Sequence, residues 1–228
     1  VAPSLTNQVV NSTGTGTATS FTLTAPAGSG GWLLAIVVVR NTTAPTITGT
    51  DWILVTEAYN SGVSNGLRHM VYRAAAGAGN LTLTLGVARN WIGAAWRVAD
   101  GDTTTPIETS SQQANASSLN HDTPGLTCSA DALLVWGTAF PGSTATITGP
   151  SGMTTVVNQS ATAVRHEIKS EVRSAGATAD PLRGTTSSGQ ADATIALSLK
   201  AAASSADRVP PRMRTVADPS RRMIYEWN

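Results

Sequence analysis

The side chains with the most chemical reach here are three histidines, one cysteine and fourteen carboxylates spread over 228 residues. His69, His121 and His166 stand far apart, and no HExxH, paired His/Cys spacing or calcium-loop pattern accompanies them. Such spacing signals no first-row metal site, because a metal needs three or four ligands converging from nearby positions. His69 in "LRHMVYR" and His166 in "VRHEIKS" lie in similar segments 97 residues apart, which predicts a recurring structural role. Cys128, in "LTCSADALL", has no neighbour that would lower a thiol pKa, so it reads as a small buried side chain. Asp100 and Asp102 flank Gly101 in "VADGDTTTP". A tight turn is the plainer reading, ahead of a weak calcium loop or the pair of carboxylates that a glycosidase places about 5 to 9 Å apart. Glu57, Glu108, Glu167 and Glu171 form no distinctive pairing, and there is no nucleophile elbow, P-loop or dinucleotide fingerprint. The expectation is a protein without catalytic residues, metal or cofactor.

Two sets of residues point to binding instead. The first is aromatic. Trp32 and Trp136 lie in the most apolar segments and read as core, whereas Trp52, Tyr59, Trp91 and Trp96 would form a glycan platform if at least two were exposed on one concave face. The second is the C-terminal "PPRMRTVADPSRRMIYEWN". Its Arg212, Arg214, Arg221 and Arg222 outweigh Asp218 and Glu226, while the rest of the chain is slightly acidic. Arginine and aromatic residues are favoured at interface centres, so Arg212, Arg214, Arg221, Arg222, Ile224, Tyr225 and Trp227 are the candidate partner-docking residues. The arginines are interrupted by acids and the whole chain carries only +1, which gives no footprint for nucleic acid.

Positioning these residues falls to β-structure. Charged residues are only 13% and hydrophobic ones 41%, and glycine, proline and threonine punctuate the chain every eight to twelve residues. That rhythm predicts strands near 5–10, 20–24, 31–40, 52–58, 67–76, 80–87, 91–99, 131–140, 144–148, 153–158, 163–173 and 192–200. Alternation is clearest in "LTLTL" at 81–85. The unbroken "WLLAIVVV" of 32–39 is too short to cross a membrane and reads as a strand covered on both faces, at an interface between subunits or within the fold. Residues 164–173 fit a helix or a strand; the echo with 67–76 favours an edge or solvent-faced strand. A second echo aligns 32–50 with 132–150 at a spacing of 100, pairing Leu33 with Leu133 and Leu34 with Leu134. The fold class expected is all-β: an antiparallel two-sheet β-sandwich, jelly-roll-like, with an internal pseudo-repeat. The body spans 1–204 and an extended C-terminal arm spans 205–228. Two tandem domains remain the alternative organisation.

The elements Gly31–Val39, Gly49–Val55, Met70–Asn80, Leu81–Leu85, Trp91–Ala99 and Asp100–Glu108 together resemble a β-sandwich pattern of tailed-bacteriophage virion structural proteins, of the decoration, head-fibre or tail-associated type. Asp51-Trp52 departs from the commoner Gly-Trp, and the second half keeps the pattern loosely. The tail, "RMRTVADPSRRMIYEW", resembles the short arginine-rich endings of phage structural proteins. The resemblance implies a non-enzymatic virion component, anchored by its C-terminal arm to capsid or tail proteins of the same virion. It further implies a homo-oligomer, a trimer being the form that fibre and decoration proteins suggest, with no membrane or nucleic-acid partner. The competing reading is a carbohydrate-binding β-sandwich module of a fibre or secreted protein; a glycan hydrolase ranks third for want of a carboxylate pair.

Overall fold

The computed structural model describes residues 1–12, 18–49, 51–142, 144–173, 177–179, 182–203, 214–217 and 223–226. Their regular structure is entirely strand. In the first half these are β1 (Ser4–Ser12), β2 (Ala18–Leu23), β3 (Trp32–Val39), β4 (Thr46–Thr48), β5 (Trp52–Asn60), β6 (Leu67–Ala75), β7 (Leu81–Arg89) and β8 (Trp91–Ala99). The second half holds β9 (Ile107–Thr123), β10 (Leu126–Cys128), β11 (Leu133–Pro141), β12 (Ile147–Thr148), β13 (Thr154–Ala161), β14 (Val164–Val172), β15 (Ala177–Ala179) and β16 (Leu182–Leu199). Two short strands follow, β17 (Arg214–Ala217) and β18 (Met223–Glu226).

These strands form several sheets rather than the two expected. β1-β8-β3-β6-β5 make one large sheet and β2-β7-β4 a small one, while the second large sheet runs β12-β16-β11-β14-β13 with β9 on β16. β10 pairs with β15, and β17 with β18. The two large sheets pack face to face. Even-numbered residues of β3 and β8 (Trp32, Leu34, Ile36, Val38, Ile92, Ala94, Trp96, Val98) meet odd-numbered ones of β11 and β16 (Leu133, Val135, Ala139, Ala193, Ile195, Leu197, Leu199) in one core. The opposite face of β3, with Leu33, Ala35, Val37 and Val39, is covered by Leu81, Leu83 and Leu85 of β7 and Phe21 and Leu23 of β2. Alternation in "LTLTL" thus turns its leucines onto the large sheet. The apolar run 32–39 is wholly buried within one chain, so no second subunit is needed to cover it.

The two halves share a pairing register. Trp32 pairs with Val98 and Leu133 with Leu199, so an offset of 101 residues carries one pair onto the other (32 to 133, 98 to 199). Val38 pairs with His69 and Ala139 with His166, offsets of 101 and 97. The ladder even breaks at matching places, between Leu54 and Thr56 in β5 and between Thr155 and Val157 in β13. The sequence echo at 100 is therefore one residue out in the long strands. Since successive strand residues face opposite ways, it matched Leu33 of the outer core with Leu133 of the central one. The histidine echo at 97 is in register. β14 is a strand, yet it lies between β11 and β13 rather than at an edge, and burial pushes the Glu167 carboxyl up despite nearby Lys169.

Candidate functional site

The three histidines are all fully buried, two of them paired in the core between the two large sheets. His69 on β6 and His166 on β14, equivalent in the two halves, meet across the central core with Nε2 to Nε2 at 3.1 Å, both fully buried. His69 Nδ1 donates to the Ala193 carbonyl at 2.9 Å, so its Nε2 must accept, and the Nε2–H of His166 donates to it. Both rings are then neutral. Burial drives His69 down to about 4, more than its bond to Ala193 and the charge of Asp192 restore, and burial with the His69 neighbour holds His166 well below the ordinary imidazole range. Room for the pair comes from Gly137, where a Cβ would stand 3.0 Å from Cε1 of His69.

Asp192 is the hub of a second buried group. Its Oδ2 accepts from His121 Nδ1 at 2.7 Å and from the hydroxyls of Thr138 and Thr194, and its Oδ1 accepts the Asn115 amide at 3.2 Å. On the far side of the ring, His121 Nε2 lies 2.7 Å from Thr186 Oγ1. The order hydroxyl, imidazole, carboxylate is that of a nucleophile with its base, but the hydroxyl's proton is turned away from the ring. Thr186 Oγ1 donates to the Ser188 carbonyl at 2.8 Å, so the hydroxyl's own proton is engaged away from the ring. His121 and Asp192 are both fully buried, and the group fastens β9 to β16. Asn60 of β5 ties it across the junction, donating to the carbonyls of Asn115 and Asp192 at 2.8 Å each.

Of the candidate glycan residues, Trp52, Trp91 and Trp96 are buried. Trp52 Nε1 donates to the Gly79 carbonyl at 2.9 Å, Trp91 stacks on Phe21 with centroids 3.8 Å apart, and Trp96 fills the central core. Tyr59 is half-buried beneath the Arg68 guanidinium, 3.9 Å from the ring centroid. Trp91 and Trp96 lie in β8, which is buried along nearly its whole length, and Trp52 turns into the outer core from the edge strand β5, so these four residues form no exposed aromatic platform. Trp32 and Trp136 are core, as expected, and Cys128 is a buried free thiol. Asp102 caps a turn: its Oδ1 accepts the Thr104 and Thr105 amides at 2.8 and 3.0 Å, and those bonds, with Lys200 adding to them, hold its carboxyl down at about 2. No cluster of three or more His, Cys, Asp or Glu suited to a metal occurs among the described residues.

Arg97 was not singled out in the sequence, since one arginine in an apolar strand carries no motif. It is buried and gives its donors to the carbonyls of Pro26, Ala27, Gly30 and Ala76, stapling two loops to β8.

On the surface, a cleft of about 480 Å³ opens beside the edge strand β5, lined by Ile53, Leu54, Val55 and Arg73 and by residues 104–110. Ile53 and Leu54 are 52% and 44% exposed, a departure in a chain that buries most of its large apolar side chains. Of the arm residues, Arg214, Ile224 and Tyr225 fall in β17 and β18, whose register sets Arg214 opposite Glu226 and Thr215 opposite Tyr225. Arg212, Arg221, Arg222 and Trp227 lie outside the described residues. Compared with protein-family models, with curated proteins and with solved structures, the chain matches none.

Proposed function

We propose that this protein is a non-enzymatic structural subunit of a tailed-phage-type virion, held to a neighbouring capsid or tail protein by its C-terminal arm, residues 205–228. The observation that carries the reading is that β17 and β18 pair only with each other, in a sheet separate from those of the body. A hairpin that makes its ladder bonds within itself leaves the body's sheets complete without it, and its arginines and aromatics suit an interface. The body adds support. In each half the first, last, third and sixth strands adjoin, with the second, seventh and fourth in their own layer in the first half. This ordering supports the jelly-roll-like reading, with the fifth strand lying beside the sixth instead of in the small layer, and the jelly roll is an architecture used by capsid proteins and lectins. The buried indoles weigh against the carbohydrate-binding reading.

Deleting 205–228 tests it. The truncated protein should melt within a few degrees of the full chain yet fail to co-sediment with assembled particles. Loss of thermal stability with incorporation unchanged would sink the proposal, because the arm would then serve its own body.

A further inference from the structure

The two halves differ most tellingly where β5 and β13 run along the edges of their sheets. At the β13 edge, Gln8 Nε2 of β1 donates to the Val156 carbonyl at 3.0 Å, closing the junction at the bulge. Thr6 and Val9 pair with Arg97 and Ala95, and Thr109 and Ser111 with Ser198 and Ala196, so Ser110 alone stands beside β5 where β1 has the bulge residues Asn7 and Gln8. Serine reaches less far than glutamine, and Ser110 lines the cleft. The junction next closes at Thr56, whose hydroxyl donates to Gln112 Oε1 at 3.0 Å, and the cleft is the opening left before it. Its lining differs as well. Ile53 pairs with Arg73 where, in the second half, Thr154 pairs with Ser170, and Leu54 stands where the second half has Thr155. The fold accepts threonine and serine at these positions, so it does not require two exposed apolar side chains and a cation there. Arg73 has no anionic partner among the described residues.

Resting on the reading of residues 205–228 as a docking arm, we infer that this cleft is the arm's receptor, and that the arm it takes comes from a second copy of the chain. Three observations select that occupant. The sequence Met223–Trp227 supplies apolar and aromatic side chains for Ile53 and Leu54 together with a carboxylate, Glu226, for Arg73. The body's chain leaves beside the cleft: Ala201 bridges to Gly101, Ala202 donates to the Asp100 carbonyl at 2.8 Å, and Thr104 lines the cleft itself. Ile53 and Leu54 are exposed in the single chain. Residues 204–213 reach at most about 35 Å, which bounds how far the cleft of a neighbouring copy in the assembly can lie from the body that sends the arm.

The test uses the full chain with a benzophenone amino acid at Thr104, on the exposed rim, and an equal mixture of ordinary and 15N-labelled protein. Irradiation followed by peptide mapping should join residue 104 to the segment 212–228, with half of the joined peptides pairing the two isotopes. Sedimentation should show self-association that Leu54→Asp weakens at least ten-fold, as deletion of the arm does. Cross-links to 212–228 without isotope mixing would overturn the inference in favour of the chain's own arm. Absence of any such cross-link, or self-association indifferent to Leu54→Asp, would overturn it too. If the arm deletion still abolished co-sedimentation with particles in those cases, the docking arm would stand and only this receptor would fall.

Discussion

A neutral imidazole pair at the centre of the molecule makes its stability depend on acid. Both rings spend their single protons inside the protein, on the Ala193 carbonyl and on the other ring, so an added proton would be charge in a fully buried site. His69 falls from 6.5 to about 4 on folding. Its folded value lies below its unfolded one, so the stability it contributes is complete above pH 6.5 and is lost as pH falls toward 4, by about 3 kcal/mol. His166 shifts the same way and adds to the loss. Urea unfolding at pH 7 and at pH 4.5 should therefore show a marked drop for the native protein and a smaller one for His69→Gln, even though that variant starts less stable; equal drops would refute the assignment. The pair was legible in the sequence as a structural echo because "RH" recurs in similar strands. His121 and Asp192 were not, because their partnership is made by β9 and β16 pairing across some seventy residues, and "GQADAT" carries no local sign of a buried carboxylate.

At the level of strands, the two halves fill the same space with different side chains. Ala35 on β3 and Leu83 on β7 share a core in the first half, while their equivalents at an offset of 101 are Trp136 and Gly184. A Cβ on Gly184 would lie 2.5 Å from Trp136 Cη2, so the glycine exists to admit the indole. Trp136→Ala should cost about 3–5 kcal/mol through the cavity it leaves, and Gly184→Leu about 1–3 kcal/mol or more through overpacking. Combined, they rebuild the first half's arrangement, and the double variant should be more stable than the sum of the two losses by at least 1 kcal/mol in a mutant cycle; strict additivity would count against the exchange. Strands such as β3, β6 and β8 announced themselves by apolar runs. β9 and the first half of β16 did not: "IETSSQQANASSLNHDT" is a strand held by its ladder to β16, with mostly polar, exposed side chains and no period for the eye to find. The one-residue error in the echo had a related cause, since in a strand covered on both faces every position is apolar and composition cannot fix the register.

Across the whole molecule, the joint between the halves decides how it unfolds. Reading one two-sheet sandwich from the sequence undercounted the layers; the central core draws on β3, β6 and β8 from one side and on β11, β14 and β16 from the other, which makes halves that unfold together the expectation. Asn60 adds hydrogen bonds across the same joint. Neither large sheet could expose that face to water alone, since an unfolded neighbour would uncover Leu34, Ile36, Val38 and Trp96 at once. Unfolding should therefore be a single cooperative transition. For a body of roughly 200 residues the calorimetric enthalpy near 60 °C is about 140 kcal/mol, and a van't Hoff value should equal it. Two independent halves would instead give a van't Hoff enthalpy near half of the calorimetric one. Removing residues 205–228 should leave that ratio at one, since β17 and β18 form a sheet apart from the body's. Leu34→Asp, placing a charge in the shared core, should lower the midpoint of the one transition as a whole; a scan that split into a weakened half and an untouched half would show that the joint is only a contact between two domains.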